Sequence, residues 1–264
     1  MKSRVLSLFI NLFARFLKRK KPSESTEILV RLFRKIIDEF EPKEALKFLF
    51  EFDNKLYSLE GEASVKYGGG IHTKHKHIKY HDFFVKNLKP NQTVLDIGCG
   101  NGYLSYDMAT KVREVKVVGI ELNEKNIDFA RNHYKRDNLN FIKGDALGND
   151  IPEGNYDVIT LSNVLEHIEK RVEFLKNLRR RFKPQRFIIR VPVFERDWRV
   201  PLKKELELDY RLDTTHFTEY TKESFAEELN RAGLEIVNFE CRWGEIWCVA
   251  KPFTNEENHQ ETKS

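Results

Sequence analysis

The sequence predicts an α/β fold, a mostly parallel sheet with helices on both faces, preceded by an all-helical amino-terminal extension. From residue 91 onward, short runs rich in Val, Ile, Leu and Phe alternate with helical segments, the pattern of strands joined by crossover helices. The glycine-punctuated run Gly98-Cys99-Gly100-Asn101-Gly102 directly follows the first of these strands, where a backbone must turn tightly into a helix. Before residue 70, apolar residues recur mainly at three- and four-residue steps, which is helical periodicity.

Composition bounds the rest. A chain of 264 residues, 40% hydrophobic and 12% aromatic, supports one substantial core with appendages. The formal net charge is +5, but Lys2, Arg4, Arg15, Lys18, Arg19, Lys20 and Lys21 meet no acid within residues 1–21, so the remainder is slightly acidic. A nucleic-acid enzyme more usually carries a basic face on its body, and this distribution points away from a nucleic-acid partner. Cys99, Cys241 and Cys248 are odd in number and form no Cys-x-x-Cys pair, which fits a reducing, cytoplasmic compartment.

Residues 1–21 read as a basic amphipathic helix, with Arg4, Ser7, Asn11, Arg15 and Lys18 at helical steps among apolar neighbours. Asn11 and Arg15 interrupt a stretch already short of the roughly 20 residues that span a bilayer, and no small-residue cleavage site follows. Such a helix either lies in the plane of an anionic membrane, at the inner face, or packs on protein. Ser23, Glu24 and Ser25 predict the cap of a second helix, and Pro42 opens a third through about residue 56. Residues 22–70 thus form a helical extension and linker. Strands are expected at 93–97, 114–121, 139–143, 156–161 and 187–193, with helices at 103–111, 125–134 and 164–182. Thr221 caps a helix that Gly233 stops, and strands 235–241 and 246–250 join through Trp243-Gly244 as an antiparallel hairpin. Residues 253–264 read as a disordered tail.

Polar residues stand where strands end. Asp96 lies at the end of the first, and Glu121, with Leu122 beside it, ends the second, where an acid can accept both hydroxyls of a ribose. Asp145 and Ala146 follow the third, and Ser162 and Asn163 the fourth. A nicotinamide enzyme needs a small residue three positions after Gly100, and Tyr103 stands there instead.

The order Asp-x-Gly-x-Gly-x-Gly, Glu-Leu, Gly-Asp-Ala and Tyr-Asp-Val-Ile-x-x-x-x-Val-Leu-Glu-His, over about residues 75–251, resembles the class I S-adenosylmethionine (SAM) dependent methyltransferases. The resemblance implies a Rossmann-like seven-stranded sheet over residues 71–252 and SAM as cofactor. Gly98, Gly100 and Gly102 would accommodate its amino-acid part, and Asp96 would face its ammonium directly or through water. Glu121 would hold its ribose, Leu122 would pack on the adenine, Asp145 with Ala146 would meet the adenine amino group, and Asn163 would stand near the transfer site. Leu165-Glu166-His167-Ile168 and His216-Phe217-Thr218-Glu219-Tyr220-Thr221 resemble the branch acting on small molecules, quinone precursors and sugars, including methyltransferases of surface polysaccharide synthesis. The Asp-Pro-Pro-Tyr motif of base amino methyltransferases is absent.

An oxygen acceptor must lose a proton, for which a histidine near neutral pKa suits. His167 is the first candidate and His216 the second; the bland roles are a helix-start residue and lid structure. The insertion 194–220, with Arg196, Trp198, Arg211 and Tyr220 among dense paired charge, reads as an acceptor-binding lid. The histidine-rich run 72–81 has only Asp82 as a nearby acid and matches no common zinc spacing, so no metal site is assigned. These readings predict SAM-dependent methyl transfer to an oxygen of a small-molecule, lipid-linked or glycan acceptor. The alternatives are an RNA or protein methyltransferase and a non-catalytic SAM-binding scaffold at a membrane.

Overall fold

A computed structural model describes residues 2–253; the tail expected at 253–264 lies, beyond Phe253, outside the described residues. The chain forms two compact units, Met1–Ala63 and Ser64–Ser264.

In the first unit, α1 (Lys2–Lys18), α2 (Pro22–Ile37) and the start of α3 (Pro42–Tyr67) are joined by short turns. The α2 start differs from expectation. Pro22 takes the first helical position after an extended Lys21, because its fixed φ is ready for a helix and its missing N–H would be unsatisfied there anyway. Helix α3 runs beyond the expected residue 56 to Tyr67, since no proline interrupts it and the glycine run begins only at Gly68. Phe33 of α2 packs on Phe52 and Phe48 of α3, with ring centroids 4.3 and 5.7 Å apart. Along α1, Leu6, Phe9, Leu12 and Phe16 stay exposed.

The second unit opens with α4 (Lys74–Ile78) and α5 (Tyr80–Lys86), then builds a seven-stranded sheet. Its strands are β1 (Thr93–Ile97), β2 (Lys116–Glu121), β3 (Leu139–Lys143), β4 (Val158–Ser162), β5 (Arg186–Pro192), β6 (Leu234–Arg242) and β7 (Glu245–Pro252). The order is β3-β2-β1-β4-β5-β7-β6, with β1 to β5 parallel and the closing β6–β7 hairpin antiparallel. The sheet and its closing hairpin are those the sequence predicts. Helices α6 (Tyr103–Lys111), α7 (Glu124–His133), α8 (Arg171–Phe182) and α10 (Lys222–Arg231) cover it, and α9 (Arg199–Glu205) lies in the insertion. Strands buried on both faces read as continuous apolar runs, and Val94, Leu95 and Ile97 of β1 are at most 1% exposed. Trp243 and Gly244 both take positive φ, 55° and 74°, as a two-residue hairpin turn requires. Thr221 caps α10 through a reciprocal bond with Ser224.

One expected helix is broken. Residues 164–182 divide into a 3-10 turn at Leu165–His167 and α8, with Ile168 extended between them. The turn buries Leu165 and Ile168 on one side and leaves His167 exposed, an arrangement that a continuous helix through these positions would alter.

The parallel order reverses at β1 and β4, whose neighbours diverge in opposite directions and leave a crevice at their carboxyl ends. Gly102 sets how closely the glycine turn packs there. It caps α6 at φ 81°, and a Cβ would lie 2.5 Å from Phe141 Cζ and 2.8 Å from Ala130 Cβ. Gly102→Ala is expected to destabilise the protein by roughly 2 to 4 kcal/mol, combining left-handed strain with overpacking. A urea midpoint equal to that of the parent would contradict this assignment.

Candidate active site

The carboxyl edge of the sheet is organised by hydrogen bonds that lock its loops. Asp96 ends β1 almost wholly buried, at 1% exposed, and burial pushes its carboxyl up to about 6 against the pull of two hydroxyl donors. Thr160 of β4 donates to its Oδ1 at 2.7 Å, and Ser105 of α6 donates to Oδ2. Each oxygen thus accepts one hydroxyl inside the fold, and the residue pins the glycine turn. Gly98 lies against the Val164 side chain, whereas a Cβ at Gly100 would meet nothing within 4 Å. The loop therefore leaves open space at its middle, where its backbone is accessible to a ligand.

Glu121 closes that loop from below. Its Oε2 accepts from the Gly100 amide at 2.9 Å and its Oε1 from the Asn123 amide at 2.7 Å, which leaves lone pairs on both oxygens for vicinal hydroxyls. Leu122 beside it is 66% exposed, an apolar surface available to a flat ring. Asp145 is half-buried and turns its Oδ1 to the Leu147 amide at 2.8 Å, and Ala146 packs against the core. Asn163 takes the left-handed region at φ 57°, and its Oδ1 is buried without a hydrogen-bond partner. Open space at Gly100, unfilled lone pairs on Glu121, an exposed Leu122 and an orphaned amide oxygen on one edge fit the amino-acid, ribose and adenine parts of SAM.

Beside the loop, the aromatic start of α6 meets the segment that precedes the sheet. His75, Tyr80, His81 and Tyr103 pack together; Tyr80 and His75 Nδ1 are 3.0 Å apart, and His81 Nδ1 is 2.8 Å from Asp107. Burial, aided by neighbouring His81 and Lys74, lowers His75 to about 4 and keeps it neutral.

At the end of β4 the 3-10 turn meets the insertion. The Phe217 amide donates to the Glu166 carbonyl at 2.8 Å, and the Val193–Tyr220 bridge closes the base of the insertion. His167 and His216, 49 positions apart in sequence, come to a ring-centroid distance of 4.6 Å. His167 Nδ1 lies 2.9 Å from Thr215 Oγ1, and His216 Nδ1 lies 2.7 Å from Glu219 Oε1. His167 titrates below its ordinary range because of burial and the neighbouring His216. Burial opposes ionisation of Glu219, yet His216, the Leu212 amide and Arg196 together hold its carboxyl low.

Two expected acceptor contacts are corrected. Tyr220 is 1% exposed and donates its hydroxyl to Glu228; it is core, placed there by the strand-like bridge at Val193. Arg196 is spent on Glu219 and on the Tyr210 and Val193 carbonyls, so it braces the insertion. Trp198 is 71% exposed, and Arg211 pairs with Asp209 while reaching the His216 carbonyl at 3.2 Å. Glu166 was not singled out in sequence. It is fully buried, both carboxylate oxygens lack a partner, and burial pushes it up to about 7. The Leu-Glu-His run contains it, but only the 3-10 turn directs it inward.

Residues 88–249 match the family described as a methyltransferase domain. Among curated proteins, the ubiquinone biosynthesis O-methyltransferase of Saccharomyces cerevisiae mitochondria is 32% identical over 111 residues, 41% of this chain and 36% of that one. The ribosomal protein L11 methyltransferase of Burkholderia mallei is 29% identical over 109 residues, 41% of this chain and 34% of that one. The aligned stretch spans little more than a third of either relative. The fold is similar to that of magnesium protoporphyrin IX methyltransferase from Synechocystis with bound SAH, at TM-score 0.53 and 20% identity, covering 67% of this chain and 84% of that one. Glu121→Ala is expected to weaken SAM binding at least tenfold by calorimetry, about 1.4 kcal/mol, since it removes the hydroxyl acceptor and a brace of the Gly100 amide; unchanged affinity would refute the ribose assignment. With well over half its length in the family match, the chain belongs to the methyltransferase domain family.

Proposed function

We propose that this methyltransferase transfers its methyl group to an oxygen of a small-molecule, lipid-linked or glycan acceptor, and that the insertion 194–220 is the acceptor's lid. The observation that supports this most is the meeting of His167 and His216 beside the end of β4 (ring centroids 4.6 Å apart), next to the orphaned Asn163 amide. Bound at the glycine turn, SAM supplies an electrophilic methyl on its sulfonium, so that the acceptor oxygen gains a carbon and the sulfur keeps the bonding pair. What the protein must add is alignment, exclusion of water and removal of the acceptor's proton. Gly98, Gly100, Gly102, Glu121, Leu122, Asp145, Ala146 and Asn163 are assigned to the cofactor. His167, the more exposed imidazole, and His216 are assigned to the acceptor's proton. Trp198 offers a ring face for a sugar or quinone ring, and Arg211 a guanidinium for anionic groups. The likeness to a ubiquinone O-methyltransferase supports an oxygen acceptor.

Incubating the protein with labelled SAM and fractionated lipid, glycan, small-molecule, RNA and protein extracts is expected to label an oxygen in one of the first three. Label confined to RNA or protein would overturn this reading. His167→Ala is expected to lower turnover on that acceptor about 100-fold while leaving SAM affinity within twofold.

We also assign α1 to an anionic membrane surface, at the inner face of a cytoplasmic enzyme's membrane. No helix among the described residues is long and apolar enough to cross a bilayer, yet Leu6, Phe9, Leu12 and Phe16 are exposed above a cluster of basic residues at 18–21. Full-length protein is expected to co-sediment with vesicles containing phosphatidylserine more strongly than residues 22–264, and equal partitioning would refute the anchor.

A further inference from the structure

Glu166, His167 and His216 each offer one ligand atom, and these atoms lie within 4.8 Å of one another. The hydrogen bonds around them fix which atoms those imidazoles can offer. Thr215 donates its hydroxyl hydrogen to Asp213 Oδ1 at 2.7 Å, so toward His167 its oxygen accepts, and the His167 proton sits on Nδ1. Glu219 accepts from His216 Nδ1 at 2.7 Å, so a proton sits there as well. In each ring Nε2 is then the nitrogen left to offer a ligand lone pair. Glu166 adds a fully buried carboxylate whose two oxygens have no hydrogen-bond partner. A carboxylate buried without a partner is costly unless it is neutralised, and the two imidazoles beside it complete a donor set that a shared cation could use.

We propose that Glu166, His167 and His216 ligate a divalent transition-metal ion of the zinc or manganese class. Two imidazoles and one carboxylate select such ions over magnesium or calcium, which prefer all-oxygen sites. Ligands at about 2.0 to 2.2 Å from a common centre stand up to about 4 Å apart, so the present spacing needs only a small closure. The outer shell is of the kind that orients metal-bound histidines: Glu219 and Thr215 hold the Nδ1 atoms, and Arg196 and the Leu212 amide hold Glu219. Three protein ligands leave positions for a further oxygen, and the exposed side at His167 leaves them reachable. For its catalytic consequence, though not for metal binding itself, the inference rests on the oxygen-acceptor reading. With the ion held by Glu166, His167 and His216, an acceptor hydroxyl at an open position would have its pKa lowered and its proton would pass to solvent, so the two histidines would act by holding the ion.

The test uses full-length protein stripped with a chelator and titrated by calorimetry with zinc or manganese chloride alone. One-to-one binding is expected, at least tenfold weaker in Glu166→Gln and in His167→Ala. The first variant keeps the side-chain shape, and the second alters an exposed residue; SAM affinity in each reports that the fold is intact. Absence of binding in the parent protein, or parental affinity in both variants, overturns the site. Methyl transfer to an oxygen acceptor that stops on chelation and returns with manganese supports the catalytic role, and full activity in the chelated enzyme overturns that role. Tight metal binding that both variants abolish, with label found only in RNA or protein, upholds the site and sinks the oxygen-acceptor reading instead.

Discussion

Asp96 ends β1 with its carboxylate enclosed, and taking a charge out of water costs several kcal/mol that only well-placed donors offset. Those donors come from two other elements, Thr160 on β4 and Ser105 on α6. Satisfying them fixes β4 alongside β1 and brings the start of α6 close to the end of the strand. The connection must then reverse within residues 98–102, and it does so with Gly98, Gly100 and Gly102 all at positive φ. The open space at Gly100 and the reach of Glu121 to its amide follow from that reversal. One buried carboxyl thus decides both where the cofactor loop lies and where the crevice beside β4 opens.

A second set of bonds builds the acceptor side. The Phe194 amide donates to the Tyr220 carbonyl at 2.6 Å, and the Phe217 amide to the Glu166 carbonyl at 2.8 Å. The insertion is thereby tied at its base and again near its return. Inside it, Arg196 and His216 share Glu219, whose side chain is 1% exposed. A buried pair like this contributes little net stability over an apolar core but fixes geometry strictly, because leaving either charge unpaired is costly. Behind the site, Arg190 pairs with Glu245 across β5 and β7 and lies 3.9 Å over the Tyr80 ring, so the segment before the sheet is held by the same edge.

The fold was readable because its signals are local. Strands buried on both faces leave apolar runs of fixed length, and Trp243-Gly244 announces its hairpin by turn chemistry alone. The break after His167 was not readable, since Val164 to Phe182 carries a helical pattern throughout and only the packing of Leu165 and Ile168 interrupts it. Tyr220 and Arg196 look like acceptor contacts in a charged insertion, and the bridge to Val193 makes one core and the other a brace.

By itself the sequence determined the sheet, the glycine turn and the acids at its edge, because each depends on residues within a few positions of one another. The tertiary structure decided which groups are buried and which face one another. It turned Asp96 inward, left Glu166 without a donor, and carried His216 to His167 across 49 positions. Spacing along the chain cannot reveal such a cluster, because its members are brought together by the closure of the insertion and not by any periodicity of the elements they stand on.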